Sequence, residues 1–126
     1  MSTLDVPPAA PDVLVLGPGL WARVEPGVMT FHGDIDLLTE RAFRCAVTTQ
    51  ANRQGGRLVV DFTALNFLDS GGIGALYALA NDPELAITVR VHSGSIVDRV
   101  LIYSGMDRIV SIERVDPDSP SATAVA

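Results

Sequence analysis

The sequence predicts an α/β fold, a mixed β-sheet with an N-terminal hairpin and about three to four helices packed against it. Three features carry this. Leu58 to Phe62 is an apolar, β-branched run suited to a buried strand. The chain enters it from a helical pattern that stops at Gly55-Gly56, so the strand follows a crossover and lies parallel to an earlier one. Upstream, Trp21 to Val24 and Val28 to Phe31 alternate around Glu25-Pro26-Gly27, which has the order of a tight hairpin turn. A chain of 126 residues has room for one such domain.

Residues 1–12, rich in Pro and Ala without an apolar period, are expected to form a flexible arm, and Val13 to Leu16 a first edge strand. Gly17-Pro18-Gly19 has the look of a dinucleotide loop, but the third glycine position holds Ala22 and Pro26-Gly27 leaves no room for the helix that such a loop opens. A helix is predicted from about Leu37 to Gln54, with Leu38, Ala42, Cys45 and Ala46 on one face. On that face Cys45 reads as a buried core thiol. After a loop at 81–85, Thr88 to Val91 reads as a short strand ending in His92. Ser95 to Asp98 has the form of a capping box ahead of a third helix that stops at Gly105. Ile109 to Ile112 is a last strand, the domain spans 13–115, and 116–126 is expected to be a disordered acidic tail.

The chain is organised around the stretch from Leu58 to Leu79. The first strand is followed by a short link, a second apolar clasp at Leu65 to Leu68, and then Asp69 and Ser70, two good N-cap residues. Ile73, Leu76, Tyr77 and Ala80 continue at helical spacing, so a strand delivers a hydroxyl to a helix start. Unpaired backbone N–H groups and the helix dipole favour a phosphate there, while simple capping accounts for the same residues without a switch. No side chain from Ser70 through Ala80 is charged, which fits either burial on two sides or a small-residue docking surface near Gly71, Ala75 and Ala78.

Composition removes several classes of function. There is no lysine, so a Walker A loop, a Schiff base and a lysine base are excluded. The formal charge is −6; four of the fifteen acids, Asp5, Asp12, Asp116 and Asp118, lie in the ends, which leaves eleven against nine scattered arginines between Trp21 and Val115. That is no basic stripe for a nucleic acid, and none is expected as partner. No apolar run reaches the roughly 20 residues that span a bilayer, and the start lacks the form of a secretory signal, so no membrane insertion and a cytoplasmic location are expected. One cysteine forms no internal disulfide and no zinc site, and neither metal nor cofactor is expected. No G-x-S-x-G elbow surrounds Ser70, and His32 and His92, at strand ends, read as structural.

Phe67-Leu68-Asp69-Ser70-Gly71-Gly72-Ile73-Gly74-Ala75-Leu76 resembles the F-[LM]-D-S-[ST]-G-[LI]-x-x-L signature of the STAS domain of anti-sigma factor antagonists, and Gly33-Asp34-Ile35-Asp36 is similar to that family's G-x-[LI]-D marker. The resemblance covers about Trp21 to Val115. It implies the STAS fold and a function without catalysis by this chain: binding a kinase-type anti-sigma factor and so freeing its sigma factor. It also implies phosphorylation by that kinase at the D-S-[ST]-G segment, here Ser70, which ends the binding, and a serine phosphatase that restores it. Asp34, Asp36, Asp69, Ser70, Gly71, Gly72 and Ala75 are the matching partner-binding positions. Asp36 orients the partner or the hydroxyl in this reading, although Asp34 or Asp36 also suits a helix cap. One departure stands out: the second hydroxyl position is Gly71, and if that hydroxyl is required the protein is a constitutive antagonist. Single STAS domains also serve as subunits beside the ATPase of an ABC-type lipid-transport complex, and this second role stays open, as does a ligand pocket near Ser70.

Overall fold

The computed structural model describes residues 6–117. The strands are β1 (Val13–Gly17), β2 (Leu20–Glu25), β3 (Val28–Ile35), β4 (Arg57–Asp61), β5 (Leu65–Leu68), β6 (Ala86–His92) and β7 (Ser111–Val115). The helices are α1 (Glu40–Arg53), α2 (Ser70–Ala80) and α3 (Ile96–Tyr103), followed by a 3-10 turn at Met106–Arg108. One seven-stranded sheet runs β1-β2-β3-β4-β6-β7, with β5 paired to β3 beyond the end of β4. β1, β2 and β3 are antiparallel neighbours and all other pairings are parallel.

From β3 onward each crossover steps the same way across the sheet. For the right-handed connection that such units adopt, this puts all three helices on one face. The alternation of β6 agrees: Ile87, Val89 and Val91 are buried, while Thr88, Arg90 and His92 point the other way. The core lies between helices and sheet, with Phe31, Phe43 and Phe62 packed at centroid separations of 5.0 to 6.0 Å.

Five expectations change. The clasp at Leu65 to Leu68 is a strand of its own, and β3 continues through the Gly33 marker instead of stopping at Phe31. The first helix starts at Glu40, because the Asp36 carboxylate accepts hydrogen bonds from the N–H groups of Leu38 (2.9 Å) and Thr39 (3.1 Å) and holds Leu37 and Leu38 in a turn. The helix therefore buries Phe43, Val47 and Ala51, and Cys45 is exposed, not a core thiol. The arm is anchored at its end: the Asp12 carbonyl accepts the Val24 N–H, and the Asp12 carboxylate pairs with Arg23 at 2.6 Å. The expected tail lies, from residue 118 on, outside the described residues, as do residues 1–5.

The helix starts follow their sequence signals. Asp69 caps α2 by accepting the Gly72 N–H at 3.0 Å. Ser95 caps α3 by accepting the Asp98 N–H at 3.1 Å. Asp98 does not complete the capping box by reaching back to Ser95. It accepts from the Gly94 N–H and pairs with Arg114 at 2.9 Å, tying α3 to β7.

Candidate functional site

The site is assembled where β3 and β5 end side by side. Their register pairs Asp34 with Phe67 and Ile35 with Leu68, and the Asp69 N–H donates to the Ile35 carbonyl at 3.1 Å. This brings Asp34, Asp36, Asp69 and Ser70 to one end of the sheet. Gly33 makes the approach possible. Its φ is +108°, and a Cβ there would lie 1.9 Å from the Gly19 carbonyl oxygen, the group that accepts the Asp34 N–H. The marker glycine is thus fixed by the β1–β2 turn that crosses it.

Two of the acids have structural work. Asp69 caps α2, and Asp36 Oδ1 holds the turn before α1, receiving the Thr39 hydroxyl at 3.2 Å as well. Asp34 is exposed. Ser70 is the first residue of α2 and exposed, and its hydroxyl makes no hydrogen bond to any described residue. No base sits on it.

Around the turns of α2, Gly71, Gly72 and Ala75 point inward and are buried. A Cβ at Gly72 would lie 2.4 Å from Leu68 Cδ1 and 2.9 Å from Ile35 Cγ2, so this glycine sets how closely α2 sits on β3 and β5. At Gly71 a Cβ would meet Leu37 Cδ2 at 3.0 Å and the capping oxygen of Asp69 at 3.2 Å. These three residues seat the helix, and Ala75 also reaches the wall of a cleft between α1 and α2. Burial against α1, β5 and β6 accounts for the absence of charge on the inner side of the helix, while its outer side is uncharged and exposed.

The outward stripe is Ser70, Gly74 and Tyr77, with Ala78 at its edge. Large apolar side chains stand exposed around it: Leu37, Leu38 (82%), Phe67, Tyr77 and Tyr103 (86%). Phe67, Ser70, Ile73, Val100 and Tyr103 line an open, apolar groove of about 490 Å³ between α2 and α3. Exposed apolar side chains gathered around one hydroxyl have the chemistry that protein contacts use. Sequence reasoning misses this ring because Leu37 reads as the start of the first helix, Leu38 as part of its apolar face and Phe67 as part of the apolar clasp. Tyr103, seven residues after the Ile96 that opens α3, carried no signal linking it to Ser70.

Elsewhere, Trp21 is buried on the face without helices, with His32 stacked on it at 3.9 Å and nearly coplanar. His92 has a buried Nδ1 without a hydrogen-bond partner and no bond to Ser70. Among the described residues no cluster of His, Cys, Asp or Glu has the form of a metal site, and no helix is long and apolar enough to cross a membrane.

A family model described as "Mlab, STAS domain" matches residues 20–111. Among solved structures, the chain is similar to a crystal structure of an anti-sigma factor antagonist from Mycobacterium paratuberculosis, with 23% identity and a TM-score of 0.61 over 82% of this chain and 88% of that one. No curated protein matches.

Proposed function

This chain belongs to the STAS domain family, and from that footing we propose that it is an anti-sigma factor antagonist, binding a kinase-type anti-sigma factor through the face around Ser70 and released when Ser70 is phosphorylated. The observation that carries this reading is the free, exposed Ser70 hydroxyl at the start of α2, ringed by exposed apolar side chains.

Such a face works as a switch through the cost of a phosphate. Phosphorylation adds about −1.5 to −2 charge at pH 7. Placed among Phe67, Ile73 and Tyr103 and beside Asp69, with Asp34 and Asp36 at the same end of the sheet, that charge has to be desolvated by the partner and meets like charges. A loss of about 3 kcal/mol weakens binding more than a hundredfold, and one phosphate supplies that. The crowding at Gly71 supports Ser70 as the acceptor, because the neighbouring position faces Leu37 and the Asp69 carboxylate and not solvent.

Intact-mass spectrometry after incubation with ATP and each kinase-type anti-sigma factor of the source genome tests the proposal, with Ser70→Ala beside the wild type. A gain of one phosphate on the wild type alone is expected, and Ser70→Glu should bind that kinase at least a hundredfold more weakly. Absence of phosphate with every kinase, together with stable copurification with a transporter ATPase, would replace this reading with that of a transporter subunit. Binding without phosphorylation would make the protein a constitutive antagonist.

A further inference from the structure

On the same reading of Ser70's face as the docking face, the geometry points to a second contact: the cleft between α1 and α2 receives a carboxylate of the protein partner on Arg41 and Arg44. Both helices leave the same end of the sheet, with Leu37 against Gly71 where they begin. One turn further, a cleft of about 330 Å³ opens, lined by Glu40, Arg41, Arg44, Gly74 and Ala75. Gly74 follows Ser70 by four residues, about 6 Å along the helix. A Cβ at Gly74 would meet nothing within 4 Å, so a partner can approach the bare backbone there.

Arg41 and Arg44 are exposed, three residues apart on one side of α1. Neither side chain makes an ion pair or hydrogen bond with any described residue; Arg53, Arg57, Arg99 and Arg108 are likewise exposed and unpaired, and what sets Arg41 and Arg44 apart is that both line one cleft. Glu40 stands four residues before Arg44, at pairing distance in sequence, and still makes no ion pair with it. Two unengaged guanidinium forks suit a carboxylate, which they bind in a bidentate geometry. Glu40 on the cleft wall leaves a net charge near +1, which a single carboxylate balances and a phosphate dianion exceeds.

Asp34, Asp36 and Asp69 gather at the strand ends where α1 and α2 begin, and Arg41 and Arg44 lie further along α1. The face is therefore polarised along its length, acidic at the strand ends and basic over α1. A partner with a cation for the first and a carboxylate for the second docks in one register, and like-charge contact rejects the reversed one.

Two measurements on the full chain test this. In the first, ¹⁵N NMR follows the arginine Nε–Hε groups and the Gly74 amide during titration with hexaglutamate at low salt. Arg41, Arg44 and Gly74 should shift while Arg53 and Arg57 stay, and the Gly74 shift should vanish in the Arg41→Gln/Arg44→Gln double variant. Equal shifts at all exposed arginines, or none at Arg41 and Arg44, would overturn the proposal whether or not an anti-sigma factor binds. In the second, the double variant should bind the anti-sigma kinase at least tenfold more weakly and with less salt dependence, whereas Arg53→Gln should bind as the wild type does. Unchanged binding by the double variant overturns the cleft and leaves the role of Ser70 standing. Hexaglutamate shifts with no kinase bound by the wild type would overturn the antagonist reading and leave the cleft.

Discussion

Glycines at positions 33, 72 and 74 look alike in sequence and have three different physical roles. Gly33 combines a left-handed φ with backbone contact, so Gly33→Ala forces both strain and a clash with the Gly19 carbonyl. It should lower stability by about 3 kcal/mol or more, read from the urea midpoint. Gly72→Ala meets Leu68 Cδ1, the β-branch methyl of Ile35 and the Ile35 carbonyl oxygen, and should cost about 1 to 3 kcal/mol. Gly74→Ala fills open space within a helix and should stabilise by up to about 1 kcal/mol. The same alanine at 74 roofs the α1–α2 cleft, so a stabilised protein with weakened partner binding would separate the fold's demand from the site's. Ser70 contrasts with all three: its hydroxyl supports no contact in the fold, and Ser70→Ala should unfold within about 0.5 kcal/mol of the wild type.

At the scale of elements, what could be read from the chain followed how local each signal was. The hairpin, the strand at Leu58, the Asp69 and Ser95 caps and the Gly105 stop all rest on neighbours within a few residues, and they stand in the structure. The phase of α1 did not emerge, because Leu37 and Leu38 are strongly apolar and fall in helical register with Cys45. Only the Asp36 carboxylate, bonding two N–H groups ahead, reveals that they belong to a turn. β5 was missed for a related reason: its four residues form a strand by pairing with β3, a partner some thirty residues away in sequence. Of the site, Ser70 and the three aspartates were legible as motif, whereas the outward stripe depends on which side of α2 meets α1 and β5. The corrected phase is testable. Phe43→Ala should cost about 3 to 5 kcal/mol. Cys45→Ser should stay within about 0.5 kcal/mol. Cys45 in the folded protein should also react with a maleimide without denaturant, as a buried thiol would not.

Over the whole molecule, the one-sided stacking of helices divides the sheet into a face that holds the core and a face that holds charge. The row Arg23, Thr30, Asp61, Arg90 and Glu113 crosses five neighbouring strands on the helix-free side. In it Asp61, 1% exposed, pairs with Arg90 at 3.3 Å and accepts from the Thr63 N–H and hydroxyl, and Arg90 also reaches Glu113 at 3.2 Å. The members of this row differ in what their loss leaves behind. Arg90→Met strands a buried carboxylate with only the Thr63 donors and should cost about 3 kcal/mol. Glu113→Gln removes a half-exposed partner from an arginine that keeps Asp61 and should cost less than about 1 kcal/mol. Thermal unfolding orders the two. On the proposed function, binding of an anti-sigma kinase separates them from the proposed docking face: because the row lies across the sheet from α1 and α2, Glu113→Gln should leave affinity and phosphorylation of Ser70 unchanged, while Tyr77→Ala and Tyr103→Ala, on the helix side, should each weaken binding about tenfold or more. Loss of binding in Glu113→Gln with full stability would move the interface to the open face of the sheet.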